Sequence, residues 1–130
     1  MAKKRDRKRP TDAELAILRV IWGMGPSTVR EVHEQLSNEQ DTGYTTVLKL
    51  MQIMTEKGLL DRDSSVRPQV FAPARSQRQT QQHLLRDLLD RAFGGSPGDL
   101  VLQALSSRKS TAEERREIRE LLDRLEEDAS

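Results

Sequence analysis

The sequence predicts a mainly α-helical protein, because of its composition and of the spacing of its apolar residues. Only 3% of the 130 residues are aromatic and 33% are charged, so a core must come from Leu, Ile, Val, Met and Ala, which suit helices. Apolar residues also recur at intervals of three and four, the spacing of one helix face. A chain of this length forms one domain, or a small domain with an extension.

The absence of cysteine excludes several classes of function. Disulfides, thiolate catalysis and zinc fingers all need cysteine, and the two histidines, His33 and His83, do not lie in a metal-ligand spacing. No nucleophile lies beside a base, no glycine-rich phosphate loop follows a strand, and no carboxylate cluster forms a recognisable catalytic motif. We therefore expect neither an enzyme nor a cofactor or metal site.

The chain also lacks membrane and export signals. No apolar run approaches the roughly 18 residues that span a membrane, and the basic start lacks the apolar segment of a secretory signal. We expect a cytoplasmic protein with no direct membrane insertion.

The first ten residues are predicted to form a basic flexible arm. Six Lys or Arg residues accompany a single acid, Asp6, before Pro10, whereas acids outnumber Arg in the last helix-like stretch. This uneven distribution suggests an anionic partner for the front of the molecule.

The ordered part is expected to begin with two short helices. Thr11-Asp12-Ala13-Glu14 has the form of a capping box, and the first helix runs from about Asp12 to Trp22, where glycines allow a turn. Ser27 then offers an N-cap for a second helix at about residues 28–36.

A third helix and a hairpin follow. The third helix covers residues 44–57 and is closed by Gly58. The stretch "LLDRDSSVRPQVFAPA" fits two short strands joined by a polar turn, and Pro68 restricts the second strand to a sheet edge or a late start. Three helices leading into a two-stranded wing are the order of a winged helix-turn-helix, which we assign to residues 11–75.

Residues 76–130 are predicted to form a helical dimerisation domain. Three apolar stripes, separated by "GGSPG" and by a cap at Ser110-Thr111-Ala112-Glu113, are too many for the remaining chain to cover. In a homodimer, these stripes would be buried against an identical partner. The alternative is that the helices pack only on each other or on the winged domain. The predicted dimer contacts are Leu84, Leu85, Leu88, Leu89, Phe93, Leu102, Leu105, Ile118, Leu121, Leu122 and Leu125.

The third helix divides into two sides at 100° per residue. Its apolar side holds Val47, Leu50, Met51 and Met54. Its polar ridge holds Thr45, Lys49, Gln52 and, at the far end, Glu56. Such side chains match the base edges and phosphates of a DNA major groove, whereas a solvated helix face is the alternative. Leu48 and Ile53 flank the ridge and touch either thymine methyls or neighbouring elements.

Other candidate DNA contacts surround this helix. Ser27 and Thr28 place hydroxyls and amides at a helix N-terminus, where phosphate binds. Arg62 and Arg67 bracket the wing and suit contact with the backbone or the minor groove. Ordinary capping and solubility are the alternatives for these two pairs.

After Thr11, the chain resembles the penicillinase repressor family of winged-helix regulators (the BlaI/MecI type) along nearly its whole length. The matching segments are "TDAELAILRVIW", "STVREVHEQL", "YTTVLKLMQIMTEKGLL" and "LLRDLLDRAFGG", and their order is more specific than any one of them. The resemblance implies a homodimeric repressor that occupies a palindromic operator in double-stranded DNA and blocks transcription of an inducible operon.

The resemblance also implies particular residues and a particular release mechanism. Carried over by position, the recognition helix offers Thr45, Thr46, Lys49 and Gln52, and the wing offers Arg67. Family members often act with a membrane sensor peptidase, whose signal leads to cleavage in the C-terminal region. The family's cleaved bond, asparagine followed by phenylalanine, aligns with Gln103 and Ala104, where both residues differ. The cysteines of the copper-responsive branch are absent, which excludes copper induction through thiolates.

Two other functions are compatible with the same pattern. A helical protein-interaction module would use the winged fold only as a scaffold, and a gel shift separates it from a DNA-binding protein. A small-ligand-sensing winged-helix regulator is the other alternative, although the chain has few aromatic residues to line a pocket.

Overall fold

The computed structural model describes residues 9–129, which form six helices and one two-stranded antiparallel sheet. In chain order the elements are α1 (Asp12–Met24), α2 (Val29–Ser37), α3 (Tyr44–Glu56), β1 (Leu60–Asp63), β2 (Val70–Pro73), α4 (Gln77–Ala92), α5 (Pro97–Ser107) and α6 (Ala112–Ala129). This order confirms the predicted fold class, three helices and a wing followed by further helices. Residues 1–8 of the predicted basic arm lie outside the described residues.

The first helix begins as predicted and ends later. The Thr11 hydroxyl accepts a hydrogen bond from the Glu14 amide at 3.2 Å, and the Glu14 carboxylate accepts one from the Thr11 amide at 2.9 Å, which completes a capping box. The helix extends to Met24 rather than to Trp22, because the chain turns at Gly25, whose φ of 88° favours glycine.

The predicted cap of the second helix was wrong by one residue. Thr28, not Ser27, is the N-cap of α2, and it forms a capping box with Glu31. Ser27 is unavailable because its hydroxyl donates to the Gly25 carbonyl at 2.7 Å and its backbone pairs with Phe71 of β2 in both directions. Ser27 therefore fastens the start of α2 to the wing.

The wing confirms the predicted hairpin. Its register pairs Leu60 with Pro73 and Asp63 with Val70, and β2 starts late, two residues after Pro68. Asp63 organises the turn, since both the hydroxyl and the amide of Ser65 donate to its Oδ1 atom. These hydrogen bonds lower the pKa of the Asp63 carboxyl below its usual value.

One hydrophobic core joins the three N-terminal helices and the wing. Each element contributes the apolar residues of one face, as the helical and strand periods predict. Leu50 differs from the prediction, because it is half-buried at the edge of this core. The buried core residues are Ile17, Leu18, Ile21, Val29, Val32, Leu36, Val47, Met51, Met54, Leu60 and Phe71.

A partly buried ion pair connects the start of α1 to the end of α3. Lys57, the C-cap residue of α3, places its Nζ atom 2.7 Å from the Oε1 atom of Glu14, whose side chain is only 3% exposed. The same oxygen accepts the capping hydrogen bond from the Thr11 amide. Sequence reasoning assigned Glu14 only a capping role, because the 43 residues between the partners give no local pattern.

The C-terminal helices form a second compact unit. The described residues form two compact units, 9–84 and 85–129, so the division between them falls inside α4. Thr111 and Glu114 make the capping box of α6, one residue later than predicted from Ser110 and Glu113. Among the described residues, none in α4, α5 or α6 is buried. No helix among residues 9–129 is long and apolar enough to cross a membrane.

We expect Glu14→Gln to lower the free energy of unfolding by about 2 kcal/mol, because it leaves the Lys57 ammonium without its anionic partner in a largely buried position. Urea denaturation followed by the fluorescence of Trp22, the single tryptophan, measures this change. Glu31→Gln is the matched control, since Glu31 makes the same two capping bonds at 2.9 and 3.2 Å but is exposed. A loss of about 0.5 kcal/mol or less is expected there, and equal losses in both variants would contradict the account.

Candidate nucleic-acid interface

The outward side of α3 carries the predicted polar ridge. Thr45, Lys49, Gln52 and Glu56 are all exposed, and so is Thr46. On the opposite side of the helix, Val47, Met51 and Met54 are fully buried. The core therefore fixes the rotation of α3 about its own axis, and the polar side chains face solvent as a consequence.

The two apolar residues that flank the ridge have different positions. Leu48 is half-buried and packs against the core, so it belongs to the support of the helix. Ile53 remains 36% exposed, which the pattern of the sequence alone did not decide.

Hydrogen bonds from α2 hold the chain that enters α3. The Nε2 atom of His33 lies 2.9 Å from the Thr42 carbonyl oxygen, so the Nε2–H tautomer donates this bond. The His33 ring also meets Tyr44, the first residue of α3, edge to face at 5.8 Å. Sequence reasoning found no signal at His33 and did not select Tyr44, because nine residues separate His33 from its acceptor.

The first turn of α3 differs from those of α1 and α2. Its N-cap is Gly43, which offers no side-chain hydrogen bond, whereas the two preceding helices begin with capping boxes. The first backbone amides of α3 therefore have no side-chain acceptor from the cap.

Ser27 and Thr28, the two residues predicted to bind phosphate at the start of α2, differ in their exposure. Ser27 is 1% exposed and its hydroxyl and amide are both engaged, so the structure does not support it as a DNA contact. Thr28 is half-buried; its hydroxyl oxygen accepts from the Glu31 amide but keeps its own proton for donation.

The wing is joined directly to the end of α3. Gly58 turns the chain with a φ of 81°, the Leu59 amide donates to the Met54 carbonyl at 2.8 Å, and the Ala74 amide donates to Leu59 at 3.0 Å. Arg62 lies in β1, paired with Phe71, and Arg67 lies in the loop between the strands; both are exposed. Two basic side chains therefore project from an element that α3 positions.

The predicted dimer contacts form exposed apolar faces in the second half of the chain. Leu84, Leu89, Phe93 and Ile118 are half-buried. The others are exposed, Leu102 most of all at 68%. Gln103 and Ala104 are both exposed. They lie within α5, so the peptide bond between them is part of a regular helix. The exposed residues are Leu85, Leu88, Leu102, Leu105, Leu121, Leu122 and Leu125.

The cleft beside α1 does not have the character of an enclosed ligand site. This cleft of about 320 Å³ lies between α1 and the first half of α4, with Arg19, Gln77 and Gln81 along an open and exposed rim. Among residues 9–129, no group of three or more His, Cys, Asp or Glu side chains is placed to hold a metal ion.

The chain is similar in sequence to proteins named as transcriptional regulators and as a penicillinase repressor. Two relatives, each named transcriptional regulator BlaI and from two strains of Mycobacterium tuberculosis, are 34% identical over 82 residues, which cover 62% of this chain and 59% of theirs. The chain thus matches less than two thirds of the length of these relatives. A penicillinase repressor from Bacillus licheniformis is 25% identical over 113 residues, 87% of this chain and 88% of that protein.

One protein family matches the chain across both of its halves. The family described as penicillinase repressor matches residues 10–124, which include the three N-terminal helices, the wing and most of α6. The protein therefore belongs to the penicillinase repressor family.

Proposed function

We propose that the protein is a homodimeric transcriptional repressor that inserts α3 into the major groove of a palindromic operator. The observation that carries the proposal is the outward polar side of α3, where Thr45, Lys49 and Gln52 are exposed opposite a fully buried apolar side. Lys suits a guanine edge or a phosphate, Gln suits an adenine edge, and Thr suits a phosphate or a thymine methyl. Membership of the family, whose members regulate transcription and are not enzymes, supports the same function.

Contacts to the DNA backbone complete the proposed interface. Thr46, at the first turn of α3, and Thr28, at the start of α2, offer hydroxyl donors to phosphates. Arg62 and Arg67 of the wing supply positive charge beside the groove that α3 enters. Ser27 is left out of this set because it is buried and hydrogen-bonded within the protein.

The C-terminal unit supplies the proposed dimer interface. Each of its three helices carries exposed leucines, and no described residue of these helices is fully buried. An isologous interface would cover these faces and set two copies of α3 for the two half-sites of a pseudo-palindrome. Release by a sensor peptidase stays a prediction from the family; cleavage between Gln103 and Ala104 would also require α5 to unwind locally.

We expect binding to operator DNA to weaken steeply with salt. If Arg62 and Arg67 of both protomers neutralise phosphates, the logarithm of the association constant falls against the logarithm of salt concentration with a slope of about −4. Arg67→Ala should make this slope shallower by about 2, because one phosphate contact is lost in each protomer. Fluorescence anisotropy titrations at several salt concentrations measure both slopes, and binding insensitive to salt would contradict the proposal.

Lys49→Ala and Gln52→Ala should each weaken binding to the cognate operator by about 1–3 kcal/mol if these side chains read bases. Gel shifts with operator and with random duplex of the same length separate the roles. An equal loss on both duplexes would make the residue a phosphate contact, and no loss on either would remove it from the interface. Glu56→Ala is the matched control, since Glu56 is exposed at the far end of the same ridge and its removal should not weaken binding.

Leu122→Glu should shift the protein from dimer to monomer, because a dry interface would have to bury the new carboxylate unpaired. Sedimentation equilibrium should show self-association weakened about tenfold or more, with circular dichroism reporting unchanged helix content. Glu120→Lys, a charge reversal on the opposite side of α6, is the control and should leave the dimer intact. A dimer equally stable in both variants would place the interface elsewhere.

A further inference from the structure

Ile53 is an apolar side chain on the outward side of a helix whose other aliphatic residues face inward. Val47, Met51 and Met54 are fully buried, and Leu48 and Leu50 pack against the core from its edge. Ile53 instead keeps 36% of its surface exposed. Ile53 therefore leaves about a third of its surface free for contact with another molecule.

The helix geometry places Ile53 beside the residues proposed to contact DNA. It follows Lys49 by four residues and Thr46 by seven, so at 100° per residue the three side chains lie within about 60° of one another around α3. If Lys49 reaches a base edge or a phosphate, Ile53 lies one turn further along the same groove.

The chemistry of the major groove restricts what an isoleucine can recognise there. The groove displays hydrogen-bond donors and acceptors on every base pair, and its apolar group is the C5 methyl of thymine. Isoleucine has no donor or acceptor, so pressing it against any other base edge would remove water from polar atoms without replacing the lost hydrogen bonds. A thymine methyl is the one group at a base edge that gains from this contact.

We propose that Ile53 is a specificity-determining residue that contacts the C5 methyl group of one thymine in each operator half-site. This inference rests on the proposed function, since it requires α3 to enter the major groove. Removing one buried methyl group from such a contact should weaken binding about fourfold, which corresponds to about 0.8 kcal/mol.

The test replaces the thymine methyl and the isoleucine separately and together. Duplexes that bind the full-length chain are first selected from a random library, and each thymine of the selected duplex is then exchanged in turn for deoxyuridine, which lacks only the methyl group. Anisotropy titrations compare the wild-type chain with Ile53→Ala on every duplex. We expect one deoxyuridine position in each half-site to cost the wild-type chain about fourfold, and the same exchange to cost Ile53→Ala nothing further.

A control variant and three outcomes make the test decisive. Met24→Ala removes a comparably exposed apolar side chain, 40% exposed, from α1, and it should keep the full deoxyuridine penalty. A penalty of the same size in Ile53→Ala, or no position with a penalty in the wild-type chain, would overturn the role of Ile53 while leaving the repressor proposal in place. Selection that enriches no duplex would overturn the proposed function itself.

Discussion

The packing of one side of α3 into the core is the constraint on which the rest of the N-terminal unit depends. Val47, Met51 and Met54 are fully buried, so α3 cannot rotate about its axis without exposing them to water. Burial of one side determines which residues face outward on the other. The Glu14–Lys57 ion pair and the His33–Thr42 hydrogen bond then hold the two ends of the helix to α1 and α2. The same interactions that stabilise the fold thus orient the polar ridge.

Backbone hydrogen bonds connect the wing to α2 and α3. Ser27 joins the start of α2 to Phe71 through two backbone hydrogen bonds. Leu59 joins the end of α3 to the wing, because its amide donates to the Met54 carbonyl and its carbonyl accepts from the Ala74 amide. A residue predicted to bind phosphate is therefore part of the structure that positions Arg62 and Arg67.

Local patterns made most of the fold predictable, and contacts between distant residues account for what was missed. Capping boxes, helical periods and a proline near the turn are readable over a few residues, which is why α1, α3 and the late start of β2 were expected. The choice between Ser27 and Thr28 as N-cap depended on Phe71, more than forty residues away, and the burial of Glu14 depended on Lys57. The exposure of Ile53 likewise required the complete packing around α3. The dimer and DNA contacts stay predictions, because they concern molecules outside this chain.

Proximity between α3 and DNA is the measurement that tests the central claim most directly. The chain contains no cysteine, so Glu56→Cys creates a single attachment site for an iron chelate at the end of the polar ridge. On a duplex selected by the protein, the account predicts strand cleavage at two positions related by the two-fold axis, one in each major-groove half-site and about one helical turn or a multiple of it apart. Cleavage no stronger than from a chelate at Glu120→Cys on α6, or spread evenly along the duplex, would contradict it.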